Sequence, residues 1–174
     1  MTPETIFVTE RNVIENRGKR KEISDGRTFA GSGRAHAYII VKNAKAAIAF
    51  YEKVLGAKED YRIPNPDGTI GHAELQIGAG RLMLADEHPA FGALSPPSIG
   101  GTPVKLHLYV ADVDATIALA EKEGATVLRP AQDQFYGDRS GMIADPFGHQ
   151  WFLGTRKESL TPEKMRERYA QSFG

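Results

Sequence analysis

Lys105, His107 and Tyr109 alternate along one short apolar run, VKLHLYV, and His36 and Tyr38 alternate in the same way in HAYIIV. An imidazole can take or give a proton near neutral pH, or ligate a metal. A lysine desolvated beside it would have a lowered pKa, and could serve as a base or as an anchor for a ligand anion. His72 and Glu74 alternate in GHAEL, and Gln150 and Phe152 in HQWFL. Tyr136 and the pair Asp138-Arg139 fall in FYGDRSG, where Arg139 could close an ion pair or turn, or reach a ligand anion. Tyr136, Phe152 and Trp151 are aromatics of the kind that wall in flat organic molecules, or simply fill a core. No G-x-S-x-G or phosphate loop occurs, and no Ser-His-Asp order is suggested. The chain has no cysteine, which excludes disulfides, thiolate metal sites and a cysteine nucleophile.

Spacing by two places such residues on one face of a strand. Over 104–110, Val104, Leu106, Leu108 and Val110 make an aliphatic face, leaving Lys105, His107 and Tyr109 on the other. Over 36–41, Ala37, Ile39 and Val41 oppose His36, Tyr38 and Ile40. Each strand leads into a helix. Ala47, Phe50, Tyr51, Val54 and Leu55 form an amphipathic stripe ended by Gly56. The aliphatic faces should therefore lie against helices and the polar faces should point away from them.

The two segments are copies. VKNAKAAIAFYEK at 41–53 and VADVDATIALAEK at 110–122 match 69 positions apart, with Val41/Val110, Ile48/Ile117 and Lys53/Lys122 identical. Strands are expected near 58–63, at GHAELQI and at RLMLAD, then again at 125–129, within 130–145 and at 149–154. Each repeat thus reads βαβββ, the first over 35–87 and the second over 104–154, with a Pro- and Gly-rich connection between them. The class is α+β: two repeats forming a curved mixed sheet around a cleft, helices outside. The inner face would carry His36, Tyr38, Lys105, His107, Tyr109, Leu82, Leu84, Gln150 and Phe152. Such a concavity with a few convergent polar groups suits a small organic ligand.

Residues 1–34 read as a polar N-terminal extension, and TPEKMRERYAQ at 161–171 as a helix capped by Thr161 within a C-terminal tail, 155–174. Twenty-two basic residues balance twenty-two acidic ones, so no global field selects nucleic acid or an anionic membrane. No apolar run approaches the roughly 18 residues of a membrane span. With no apolar leader in the first residues and no cysteine, a cytoplasmic protein is expected.

AIAFYEKVLGA at 47–57, LHLYVADVDA at 106–115 and ADPFGHQWFL at 144–153 resemble the vicinal oxygen chelate superfamily of glyoxalases, bleomycin-resistance proteins and extradiol dioxygenases. PDGTIGHAELQIG at 66–78, QFYGDRSGMIADPFGHQW at 134–151 and ESLTPEKMRER at 158–168 are similar to its PhnB-like branch. The resemblance covers about 36–170 and implies the duplicated fold and a homodimer. Its metal-dependent members take ligands from the first and last strand of each repeat. Those rules select His36, Leu84, Lys105 and Phe152, of which only His36 can ligate, whereas a divalent site needs about three protein ligands. The resemblance therefore implies no metal and no cofactor here, with Tyr136, Arg139 and the inner-face residues left to bind a ligand. Two alternatives stand beside a metal-independent binder. One is a lyase, isomerase or dioxygenase using a relocated metal (His36, His107, Glu74) or His36, His107 and Lys105 as acid–base groups. The other is a partner-binding module whose cleft is filled.

Overall fold

The computed structural model describes residues 35–172, so the expected N-terminal extension, 1–34, lies outside the described residues. The first repeat runs β1 (Ala37–Val41), α1 (Ala44–Leu55), β2 (Lys58–Pro64), β3 (Ile70–Ile77) and β4 (Gly80–Asp86). A 3₁₀ turn (Pro89–Phe91) and a short helix α2 (Pro96–Ile99) break up the connection. The second repeat runs β5 (Lys105–Tyr109), α3 (Val113–Lys122), β6 (Thr126–Asp133), β7 (Asp138–Ala144) and β8 (Gln150–Arg156), and α4 (Pro162–Gln171) follows. The strands form two four-stranded mixed sheets of matching order, β1-β4-β3-β2 and β5-β8-β7-β6. The fold is α+β with two similar βαβββ halves, each hydrogen-bonding its own sheet.

The duplication reaches into the caps. Asn43 accepts from the Ala46 amide at the start of α1, and Asp112 accepts from the Ala115 amide at the start of α3. Asp86 at the end of β4 accepts from the Ala44 amide at 2.7 Å, and Thr155 in β8 accepts from the Val113 amide at 2.8 Å. Both ties fasten the first turn of a helix to the last strand of its repeat. Gly56 ends α1 at φ 64°, where a side chain would be strained.

Ala47, Ile48, Phe50, Tyr51, Val54 and Leu55 are all buried, so the expected stripe of α1 is the core face. α1 and α3 sit opposite the polar strand positions, and they also meet each other. One apolar core consequently runs through both repeats. At its centre the Tyr51 hydroxyl donates to Asp145 Oδ2 at 2.7 Å, and the Trp151 Nε1–H donates to the same oxygen at 2.9 Å. Asp145 Oδ1 accepts from the amides of Phe147 and His149. His149 Nε2 donates to the Ile40 carbonyl of the first repeat at 2.9 Å. Burial pushes the Tyr51 hydroxyl well above its ordinary pKa, and the adjacent Asp145 carboxylate adds to the shift.

Two features reset which residues face which way. Leu82 and Leu84, expected on the inner face, are buried on the helix side, and Met83 takes the other side opposite Tyr38. RLMLAD is apolar on both faces through 82–85, so alternation there fixed no side. The second feature is a pair of β-bulges at matching places. The β2–β3 register shifts between Glu59 and Tyr61, and the β6–β7 register shifts between Val127 and Arg129. A further shift separates Arg129 from Gln132. One extra residue reverses the side on which the next side chain emerges.

Candidate functional site

Register across each sheet gives two equivalent rows. In the first repeat the row is Tyr38, Met83, Glu74 and Tyr61; in the second it is His107, Phe152, Met142 and Arg129. The rows differ in their electrostatics.

The first row is closed on itself. Tyr61 donates to Glu74 Oε1 at 2.5 Å, Arg81 pairs with Glu74 Oε2, and His72 Nε2 lies 3.4 Å from Oε1. Burial raises the pKa of the Glu74 carboxyl, but the hydrogen bonds from Tyr61 and His72 and the charge of Arg81 outweigh it and hold the group below its usual range. Tyr38 is hydrogen-bonded with His72 Nδ1 at 3.1 Å. His36 precedes β1 and is exposed. Of the relocated trio, Glu74 lies on the first sheet, His107 on the second and His36 before β1, and the three are not grouped. Among the described residues no group of three or more His, Asp or Glu side chains is placed to share a metal ion.

The second row opens into a cavity of about 430 Å³. His107, Tyr109, Tyr136 and Phe152 line it. Every lining residue of this cavity comes from the second repeat or the segment after it. Leu160 and Met165, from the tail, complete the wall. α4 is held there by a bidentate pair between Arg168 and Glu158 and by Tyr169 against Phe135, with ring centroids 5.1 Å apart.

The His107 ring lies nearly parallel to Phe152, 19° apart and 6.0 Å between centroids, and meets Tyr109 edge-on at 4.7 Å. At the cavity edge Tyr109 donates to Asp138 Oδ2 at 2.8 Å, and Arg156 reaches both the Tyr109 oxygen, at 2.6 Å, and Asp138 Oδ1, at 2.5 Å. Hydrogen bonds to Tyr109 and Asp138 raise the pKa of Arg156, so the guanidinium stays charged. Tyr136 is hydrogen-bonded with Ser140 at 3.1 Å. Lys105 is exposed on the same face, beside Gln150 but outside the lining.

Arg139, expected to reach a ligand anion, is committed elsewhere. It lies on the helix side and pairs bidentately with Asp114 of α3 at 2.7 and 2.8 Å, with Asp133 at 3.3 Å. Those hydrogen bonds raise its pKa and lower that of Asp114. The neighbouring Asp138 faces the cavity because alternation puts adjacent residues on opposite sides. Arg156, Asp138, Leu160 and Met165 were missed from sequence. The alternation of β8 did contain a signal, since Arg156 shares its face with Phe152.

A model of the glyoxalase/bleomycin resistance protein/dioxygenase superfamily matches residues 33–153, and the chain belongs to that family. An uncharacterized protein of Mycobacterium bovis, Mb0911c, is 47% identical over 120 residues, covering 67% of this chain and 79% of that protein. Protein PA1353 of Pseudomonas aeruginosa superposes with a TM-score of 0.58 at 25% identity, over 72% of this chain and 98% of its own. A PhnB protein of Bacillus cereus superposes with a TM-score of 0.55 at 15% identity, over 70% and 98% respectively, a likeness of fold alone.

Proposed function

We propose that this protein is a metal-independent binder of a small organic molecule, held over the second sheet. The observation that carries this reading is the cavity walled by His107, Tyr109, Tyr136 and Phe152 and bounded by the tail's Leu160 and Met165. Its volume falls within the several-hundred-Å³ range of small-molecule sites. Metal independence rests on donor chemistry. The family's ligand positions in the second repeat hold Lys105 and Phe152; those in the first hold His36 with buried Leu84, or Met83 beside it. An ammonium, a phenyl ring and a leucine offer a divalent cation nothing, and a thioether suits only soft metals.

Calorimetric titration with Zn²⁺, Ni²⁺, Mn²⁺ and Fe²⁺ tests this part of the reading. No stoichiometric binding is expected; one tight site per chain, abolished in His36→Ala, would sink it. A thermal-shift screen of aromatic metabolites tests the rest. Stabilising compounds should lose their effect in Phe152→Ala while that variant remains folded; hits indifferent to Phe152 count against the site.

The reading includes a homodimer in the cytoplasm. Tyr38, Ile63 and Tyr109 are exposed large side chains on β1, β2 and β5, which is the kind of surface a second copy would cover. Among the described residues no helix is long and apolar enough to cross a membrane.

A further inference from the structure

Arg129 stands where the first repeat has Tyr61, at the far end of the row that begins with His107. Its guanidinium carbon lies 4.6 Å from the centre of the Phe152 ring, the ring that also lines the cavity. The side chain therefore reaches across β7 to β8. Nε and Nη2 are both buried, and neither has a hydrogen-bond partner. A buried donor without an acceptor is costly, and more so on a charged group. Acidic side chains of α3, β6 and β7 are otherwise engaged: Asp138 with Arg156 and Tyr109, Asp114 and Asp133 with Arg139. Register shifts on both sides of Arg129 turn it onto this face, away from Val127, which pairs with core Ile143. Bulges commonly re-aim a side chain beside a site.

We infer that Arg129, which packs against Phe152 just outside the residues that line the cavity, is its anion-recognition residue: the ligand carries a carboxylate or a group of like charge that reaches past the lining to take the two free donors while its flat body lies in the cavity against Phe152 and His107. This rests on the binding reading above. A guanidinium already oriented by an aromatic ring presents two parallel N–H groups to a planar carboxylate, a geometry that lysine cannot reproduce. The residue is thus a specificity determinant for anionic aromatic molecules over neutral ones.

The test compares 2-naphthoate with its neutral amide, 2-naphthamide, by calorimetric titration of the full chain. Wild-type protein should prefer the acid. R129Q should weaken the acid by about tenfold or more, as expected for a lost charge-assisted pair, and move the amide by less than about threefold. R129K, which retains the charge, should fall between. Circular dichroism verifies the fold, and if R129Q is unfolded then R129K decides: an acid affinity equal to wild type overturns the assignment. Equal loss of both compounds in R129Q, or loss of neither, also overturns it while leaving the cavity a binding site. If R129Q changes the sedimentation coefficient and not the naphthoate affinity, the acceptor is a carboxylate of a second copy and the assignment falls. A wild-type protein that takes up neither compound overturns the binding reading and this assignment together.

Discussion

Asp145 shows how one residue can serve both repeats. Its carboxylate accepts from Tyr51 and Trp151 side chains and from two backbone amides, and it is almost fully buried. Asp145→Ala would strand four donors in the core. We expect a loss of about 3 kcal/mol or more in urea unfolding, in the range for breaking a buried charged network. Tyr51→Phe removes one donor and should cost about 1–2 kcal/mol. Tyr51 also carries a pH signature. Its folded pKa lies well above the ordinary value near 10, so at alkaline pH the unfolded chain releases a proton that the folded one retains. Stability should therefore fall as pH rises above about 10, and Tyr51→Phe should flatten that limb of the profile.

At the scale of elements, the connection between the repeats is fixed at one point. The Glu87 carboxylate accepts from the backbone amide and the hydroxyl of Ser95, which is fully buried. Hydrogen bonds from Ser95 and Ser98 lower its pKa to about 2. A depressed carboxyl stabilises above its unfolded pKa, and the contribution is lost as pH falls through the folded value. Hydrogen-exchange protection over 88–99, the measured rate set against that of the unfolded peptide at the same pH, should accordingly fall as pH drops from about 4.5 toward 2, the unfolded and folded pKa values. Glu87→Gln should show low protection throughout. What could be read from the chain follows the same scale. The helix stripe of Phe50, Tyr51, Val54 and Leu55, and the polar alternation of His107 and Tyr109, were legible because each obeys a single period. Met83 was not, since apolar residues on both sides of β4 carry no phase. Arg129 was hidden by the bulges, since a regular strand would place it with Val127 on the helix side. Leu160 and Met165 were hidden too, because no local pattern tells which cavity a tail will flank.

For the whole molecule, the shared core makes the two repeats one cooperative unit. α1 packs against its own sheet and, through Tyr51 and Phe50, against Trp151 and Phe147 of the other repeat. Neither 35–103 nor 104–172 expressed alone should fold, as read by dispersion in an NMR spectrum, whereas the intact chain should unfold in one calorimetric transition. Sedimentation velocity across a dilution series gives the assembly state, and a dimer is the expected species. The paired bulges at Glu59/Tyr61 and Val127/Arg129 have a consequence of another kind. They act as a reading frame for the sheet: the residue just past each bulge faces the polar side only because one position before it goes uncounted. Deleting Leu128, the uncounted position, would leave Arg129 next after Val127 and still on the polar side, whereas regularising the strand with Leu128 retained would put Arg129 with Val127 toward the core. Sequence comparison within this family should therefore treat a one-residue gap at that place as neutral for the face on which Arg129 stands, and should align the residue after the bulge by its sheet partner rather than by its count along the strand.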